Sequence, residues 1–143
     1  MEDTSVSWRV RAIRGATTAS ENSVDAIREV VHELIDAIET ENTFDYEEII
    51  SVTFSVTWDL DAIFPAAITR ERSNWDNVPL LDVQQMHVES DLDFCIRCLI
   101  HFNTAHPEQP IHHIYQRGAK NLRPDWGLVQ ARVPSTLPSP SAR

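Results

Sequence analysis

Three arginines and a tyrosine are the residues whose types and settings could do chemistry. They are Arg14 in Arg14-Gly15-Ala16-Thr17-Thr18, Arg97 in Cys95-Ile96-Arg97, Tyr115 in His113-Ile114-Tyr115, and Arg123 in Leu122-Arg123-Pro124-Asp125. Arg14 and Arg97 sit at the end or in the middle of apolar, strand-like runs. A guanidinium in such surroundings is costly unless an anion satisfies it. The chain has 22 acidic and 12 basic residues and a formal net charge of -10. Guanidinium groups kept inside strands of so acidic a domain point to a pocket for a small multivalent anion. Eleven of the twelve basic residues are arginine and Lys120 is the only lysine. Arginine grips a carboxylate bidentately where lysine offers a point charge, although a general bias of the source towards arginine gives the same count.

Other chemistries fit the chain less well. Cys95 and Cys98 form a C-x-x-C that reads as a redox pair or half a zinc site, with His101, His106, His112 or His113 to complete it. They also read as two small buried apolar residues. Their run is strand-like, and strand residues three apart point to opposite faces, which argues against chelation. No triad or metal cluster stands out, and no cofactor is expected. The acidic balance should repel nucleic acid and anionic membranes. No apolar run approaches the roughly 20 residues that span a bilayer. The polar, acidic start Met1-Glu2-Asp3-Thr4-Ser5 does not read as a signal peptide, so a cytoplasmic location is expected.

The elements that must position these residues follow from periodicity. With 143 residues the chain suits one domain: residues 1-7 as a flexible start, 8-127 as the folded unit, and 128-143 as a disordered tail rich in Pro and Ser. Trp8 to Arg14 alternates, with Trp8, Val10, Ala12 and Arg14 on one face and Arg9, Arg11 and Ile13 on the other. Gly15 then permits a sharp turn or a close approach. Ala19 to Asn42 predicts a helix with Val24, Ile27, Val30, Val31, Leu34, Ile35 and Ile38 as its buried stripe. Ser20 or Ser23 would cap it, and Glu29, Glu33, Asp36 and Glu39 would form a solvated acidic face. Ile49 to Thr57 predicts a strand with Ile50, Val52, Phe54 and Val56 inward. Pro65 starts a short helix to Arg72. Strands are expected over Val78 to Met86, Cys95 to Thr104 and Ile111 to Arg117. The order β-α-β-α-β-β-β gives an α+β (α/β two-layer) domain, a mixed five-stranded sheet with helices on one face. The other sheet face needs cover, which identical subunits commonly provide.

The ordered stretches resemble the AroH-class, monofunctional chorismate mutases. Those stretches are Arg11 to Thr18, Asp59-Leu60-Asp61-Ala62-Ile63-Phe64-Pro65-Ala66, Trp75 with Val78-Pro79, Gln84 to Met86, Cys95-Ile96-Arg97, His113-Ile114-Tyr115 and Leu122-Arg123-Pro124-Asp125. The resemblance spans about Val10 to Asp125. It implies a homotrimer with a barrel-like core and sites at subunit interfaces. It also implies the Claisen rearrangement of chorismate, a dicarboxylate, to prephenate on the way to phenylalanine and tyrosine. Arg97 then corresponds to the donor to the breaking ether oxygen, and Arg14 and Tyr115 to the groups that grip the substrate's carboxylates. Phe64 and Leu122 correspond to apolar walls. Arg70 and Arg123 correspond to basic residues at the mouth. Leu81, Asp82, Val83, Gln84 and Gln85 correspond to pocket-lining positions. As plain structure, Arg97 would be a satisfied strand arginine, Tyr115 a strand aromatic with its hydroxyl at the surface, Phe64 and Leu122 core, and Arg70 and Arg123 surface ion pairs.

The chain departs from the family at three positions. Gln85 stands where the family usually has glutamate, Asp82 where it often has cysteine, and Ala67 where many relatives have lysine. Gln85 keeps an acceptor but loses the charge. One expectation is that Asp82 supplies the carboxylate; three residues apart in a strand, the pair would need a bulge or an interface reached from both sides. Two other readings stand beside catalysis. One is a non-catalytic trimeric sensor that binds chorismate, prephenate or an aromatic amino acid. The other is a purely structural trimer, which leaves the strand arginines unexplained.

Overall fold

The computed structural model of the chain describes residues 7-122. Arg123 and the expected 128-143 tail lie outside the described residues, as does most of the expected flexible start. Five strands form one mixed sheet: β1 (Arg9–Thr18), β2 (Ile49–Val56), β3 (Leu80–Gln84), β4 (Cys95–Thr104) and β5 (Ile114–Tyr115). Their spatial order is β3-β2-β4-β1-β5. β4 runs antiparallel to β1 and β2, while β1 with β5 and β2 with β3 pair in parallel. Helices α1 (Val24–Glu41) and α2 (Pro65–Thr69) pack on one face of this sheet. This is the two-layer α+β arrangement read from the sequence.

The core lies between α1 and the sheet. Ile27, Val30, Val31, Leu34, Ile35 and Ile38 are buried against Ile13, Ile96, Ile100 and Phe102. Val24 is 38% exposed and stands outside the stripe. The Ser23 hydroxyl accepts from Ala26 N–H at 3.1 Å and fixes the helix start,. Residues before it are committed elsewhere, which is why the helix begins five residues later than the periodicity predicts. Ala19 N–H donates to Phe94 C=O at 2.8 Å, and Asn22 exchanges hydrogen bonds with Asp61.

Gly15 does not end β1; the strand continues to Thr18. The glycine instead permits a close approach of α1. A Cβ there would meet Cys98 Sγ at 3.0 Å and the Cδ1 atoms of Leu34 and Ile38 at 3.2 Å. In β2, Ile50 is not inward as alternation predicts. A bulge between Ile49 and Ser51 buries Ile49 and turns Ile50 out,.

Three other elements are shorter than expected. β3 starts only at Leu80, after Pro79, which has no N–H to give and whose carbonyl accepts from Val52 N–H at 2.9 Å,. β5 shrinks because His112 is bound by the Asn42 side chain, through its N–H at 2.8 Å and its C=O at 2.9 Å. The second helix ends at Thr69. The acidic face of α1 is not merely solvated. Glu39 accepts from Tyr46 OH, Arg72 and Trp75 Nε1, each at 2.7 Å. Arg117 bridges Glu29 and Glu33. Burial and the bond to Glu39 push the Tyr46 phenol up to about 12.

Candidate active site

Strand alternation in β4 sends Ile96, Cys98 and Ile100 to the helices and Arg97 and Leu99 to the open face,. Arg97 stands opposite Ala16 of β1 and Ser55 of β2. Both neighbours are small, so the long side chain has room across the sheet. Ala16 also stands opposite Tyr115 of β5, and Arg14 is two residues earlier on the same face of β1. Register around one alanine therefore gathers Arg14, Arg97 and Tyr115 on one sheet face. Tyr115 is buried with Ala16 and Ala119, and Leu92 and Leu122 pack on this cluster. Its hydroxyl is also buried, contrary to the ordinary strand-aromatic reading. The backbone N–H of Arg14 donates to His113 Nδ1 at 3.0 Å.

A carboxylate that the sequence reading did not single out joins this group. Asp91, in the loop between β3 and β4, receives Gln85 Nε2 on Oδ2 at 2.7 Å. It receives a guanidinium nitrogen of Arg97 at 3.3 Å from each oxygen. Leu92 N–H donates to its Oδ1 at 2.8 Å. Among the described residues, Arg97 Nε and Gln85 Oε1 are buried with no hydrogen-bond partner. The site thus presents a charged donor and a neutral acceptor, both held from one carboxylate. In the sequence Asp91 looks like any polar turn residue, and no periodicity marks it.

A second group of predicted residues lies around a cleft of about 530 Å³, within the usual range for a ligand pocket,. Phe64, Asp82, Val83 and Gln84 line it, together with Trp58 and Ile63. Phe64 is two-thirds exposed, and Arg70 is exposed at the end of α2. Leu81 and Val83 share the open sheet face with Arg97, because they stand in register with Thr53 and Ser55.

Asp82 turns the other way, in register with Phe54 and Cys98 on the helix side. There its Oδ1 accepts from Ala66 N–H at 3.0 Å, at the start of α2. Burial raises its pKa above the ordinary value, opposed by that hydrogen bond and by Arg70. Within one chain Asp82 therefore does not take over the charge missing at Gln85; the carboxylate in contact with Gln85 is Asp91.

The cysteines are buried and free. Cys98 packs against Gly15 while Cys95 lies on the Arg97 face, so the C-x-x-C is split across the sheet. Burial pushes both thiols up, Cys98 to about 12, which leaves little thiolate at neutral pH. Among the described residues no helix is long and apolar enough to cross a membrane.

Comparison with known proteins follows the same outline. Residues 10-126 match the family described as Chorismate mutase type I. The chain is 36% identical over 121 residues to the chorismate mutase AroH of Bacillus subtilis (strain 168), covering 85% of this chain and 95% of that protein. It is 39% identical over 122 residues to the chorismate mutase AroH of Thermus thermophilus, covering 85% and 99%. Among solved structures, the chorismate mutase from Clostridium thermocellum superposes with a TM-score of 0.70 at 38% identity, over 77% of this chain and 97% of that one.

Proposed function

The chain belongs to the type I chorismate mutases, and we propose how its own residues carry the isomerisation of chorismate to prephenate. In this rearrangement one C–O bond breaks and one C–C bond forms within a single molecule. No nucleophile and no net proton transfer is needed. Rate can come from holding the reactive conformer and from stabilising charge that develops on the ether oxygen.

Arg97 is the catalytic residue in this reading. The observation that carries it is its buried Nε–H, a donor on a permanent cation with no partner among the described residues. Aimed at the ether oxygen, it is worth more in the transition state than in the ground state. Arg14 and Tyr115, gathered around Ala16, bind the substrate's carboxylates. Gln85 Oε1 accepts from the ring hydroxyl, and Leu122 walls the pocket. Arg70, exposed, steers the dianion, and Arg123 is assigned the same role from its sequence position.

The residues around the Phe64 cleft complete the site from a neighbouring copy. Two observations support this. Asp82 lies across the sheet from Arg97. The open face also exposes Val10, Leu81 and Val83, an apolar surface that a second sheet would bury. A homotrimer with sites at subunit interfaces satisfies both.

The test is a continuous assay of chorismate loss with the purified protein beside Arg97→Ala. The variant should lose at least about 100-fold to 1,000-fold in kcat, the usual effect of removing a donor aimed at a developing oxyanion. Parity between the two proteins would remove Arg97 from the mechanism. A folded protein that does not exceed the spontaneous rate would leave the sensor reading in possession.

A further inference from the structure

We propose that Asp91 is the positioning residue that sets the polarity of this site, an inference that rests on the mutase reading above. A carboxylate only accepts hydrogen bonds, whereas an amide has a donor end and an acceptor end. With Asp91 Oδ2 at 2.7 Å, Gln85 must turn its NH2 inward. Oε1 is thereby left as the acceptor end, and it is buried with nothing to accept from among the described residues. The same carboxylate holds one terminal guanidinium nitrogen of Arg97, while the buried Nε has no hydrogen-bond partner among the described residues. Arg97 can only donate, so what this one side chain decides is that Gln85 offers an acceptor, and it ties that acceptor to the guanidinium through a shared carboxylate.

The loop is built to hold Asp91 there. Its N–H closes a turn onto Val88 C=O at 3.1 Å, with Ser90 in the left-handed region at φ 73°. Leu92 N–H holds Oδ1 at 2.8 Å. A cavity of about 130 Å³ lined by Gln85 and Asp91 opens beside the pair. Asp91 also places a full negative charge one hydrogen bond behind the Gln85 carbonyl. That polarises the amide and lets a neutral glutamine meet a developing positive charge on the substrate.

The experiment compares the unmodified protein with Asp91→Asn, Gln85→Glu and the double variant in chorismate turnover across pH, with melting curves for each. Asp91→Asn removes the charge and the constraint on the amide, and should lower kcat/KM about ten-fold or more, mainly through kcat. Gln85→Glu alone puts two carboxylates in contact. It should lower activity and add an ionisation to the pH profile, since one of them must take up a proton. In the Asp91→Asn background the same change should raise activity, because the new carboxylate accepts from the amide introduced in place of Asp91. This reversal of sign is not expected of a merely structural loop residue. Asp91→Asn within two-fold of the unmodified protein, or equal effects of Gln85→Glu in both backgrounds, would overturn the proposal. If Asp91→Asn does not fold, Gln85→Glu decides alone: a pH profile with no added ionisation sinks the idea. Turnover by the unmodified protein tells the two failures apart, since its absence removes the mutase reading and this role with it.

Discussion

The side chains of this site owe their roles to their partners more than to their types. Asp82 and Asp91 are both half-buried carboxylates from neighbouring segments, yet they face opposite sides of the sheet. Asp82 receives a single backbone N–H and feels burial above all, so its pKa rises. The folded protein therefore holds that proton more tightly than the unfolded chain. The contribution of Asp82 to stability is fully present below the ordinary carboxylate pKa and is lost as pH rises through its raised folded value. Asp82→Asn keeps an acceptor for Ala66 N–H and removes this titration. The variant should therefore gain stability relative to the unmodified protein between about pH 4 and neutrality. Denaturant midpoints across that range would show it, and a constant difference would mean that burial does not govern this group.

At the scale of elements, the approach of α1 to the sheet depends on Gly15. A methyl at that position would sit 3.0 Å from Cys98 Sγ, a short side chain with little freedom to move. Gly15→Ala should cost about 1–3 kcal/mol by overpacking. In a Cys98→Ala background much of that cost should vanish, because the clashing sulfur is gone. Melting temperatures of the four proteins test this. An equal loss in both backgrounds would place the strain at the ends of Leu34 and Ile38 instead. The strand also carries Arg14 and Ala16, so the same register that admits the helix on one face gathers the site on the other.

For the molecule as a whole, the helices cover one side of the sheet and leave Val10, Leu81 and Val83 exposed on the other. Val10 lies on that open face, 52% exposed and six residues from Ala16, so it is remote from the Arg97 cluster. Val10→Asp should break the proposed trimer, read as a fall in mass by light scattering, while far-UV circular dichroism stays unchanged. Turnover should fall with it, because each site would lose the half supplied by the neighbouring copy. A variant of unchanged mass would mean that subunits meet elsewhere.

The two-layer fold is legible in the sequence alone, because hydrophobic period is written locally. The stripe of α1 and the alternation of β4 needed no tertiary information, and the order of short stretches carried the family. Arg14, Arg97 and Tyr115 also stood out there, since their chemistry is unusual for their strand settings. Which residues meet was settled by tertiary packing. The bulge at Ile49–Ser51 reversed Ile50, and Asn42 took His112 out of β5. Glu39 became a hub for nearby Tyr46 and, across long sequence gaps, for Arg72 and Trp75. Asp82 and Asp91 show the limit most clearly. Asp82 lies in the middle of β3 and Asp91 in the loop that follows it, and which one reaches Gln85 depends on pleat and turn geometry. Periodicity reports the face that a residue takes along its own element, but contacts between elements follow from register and loop closure, which no local pattern encodes.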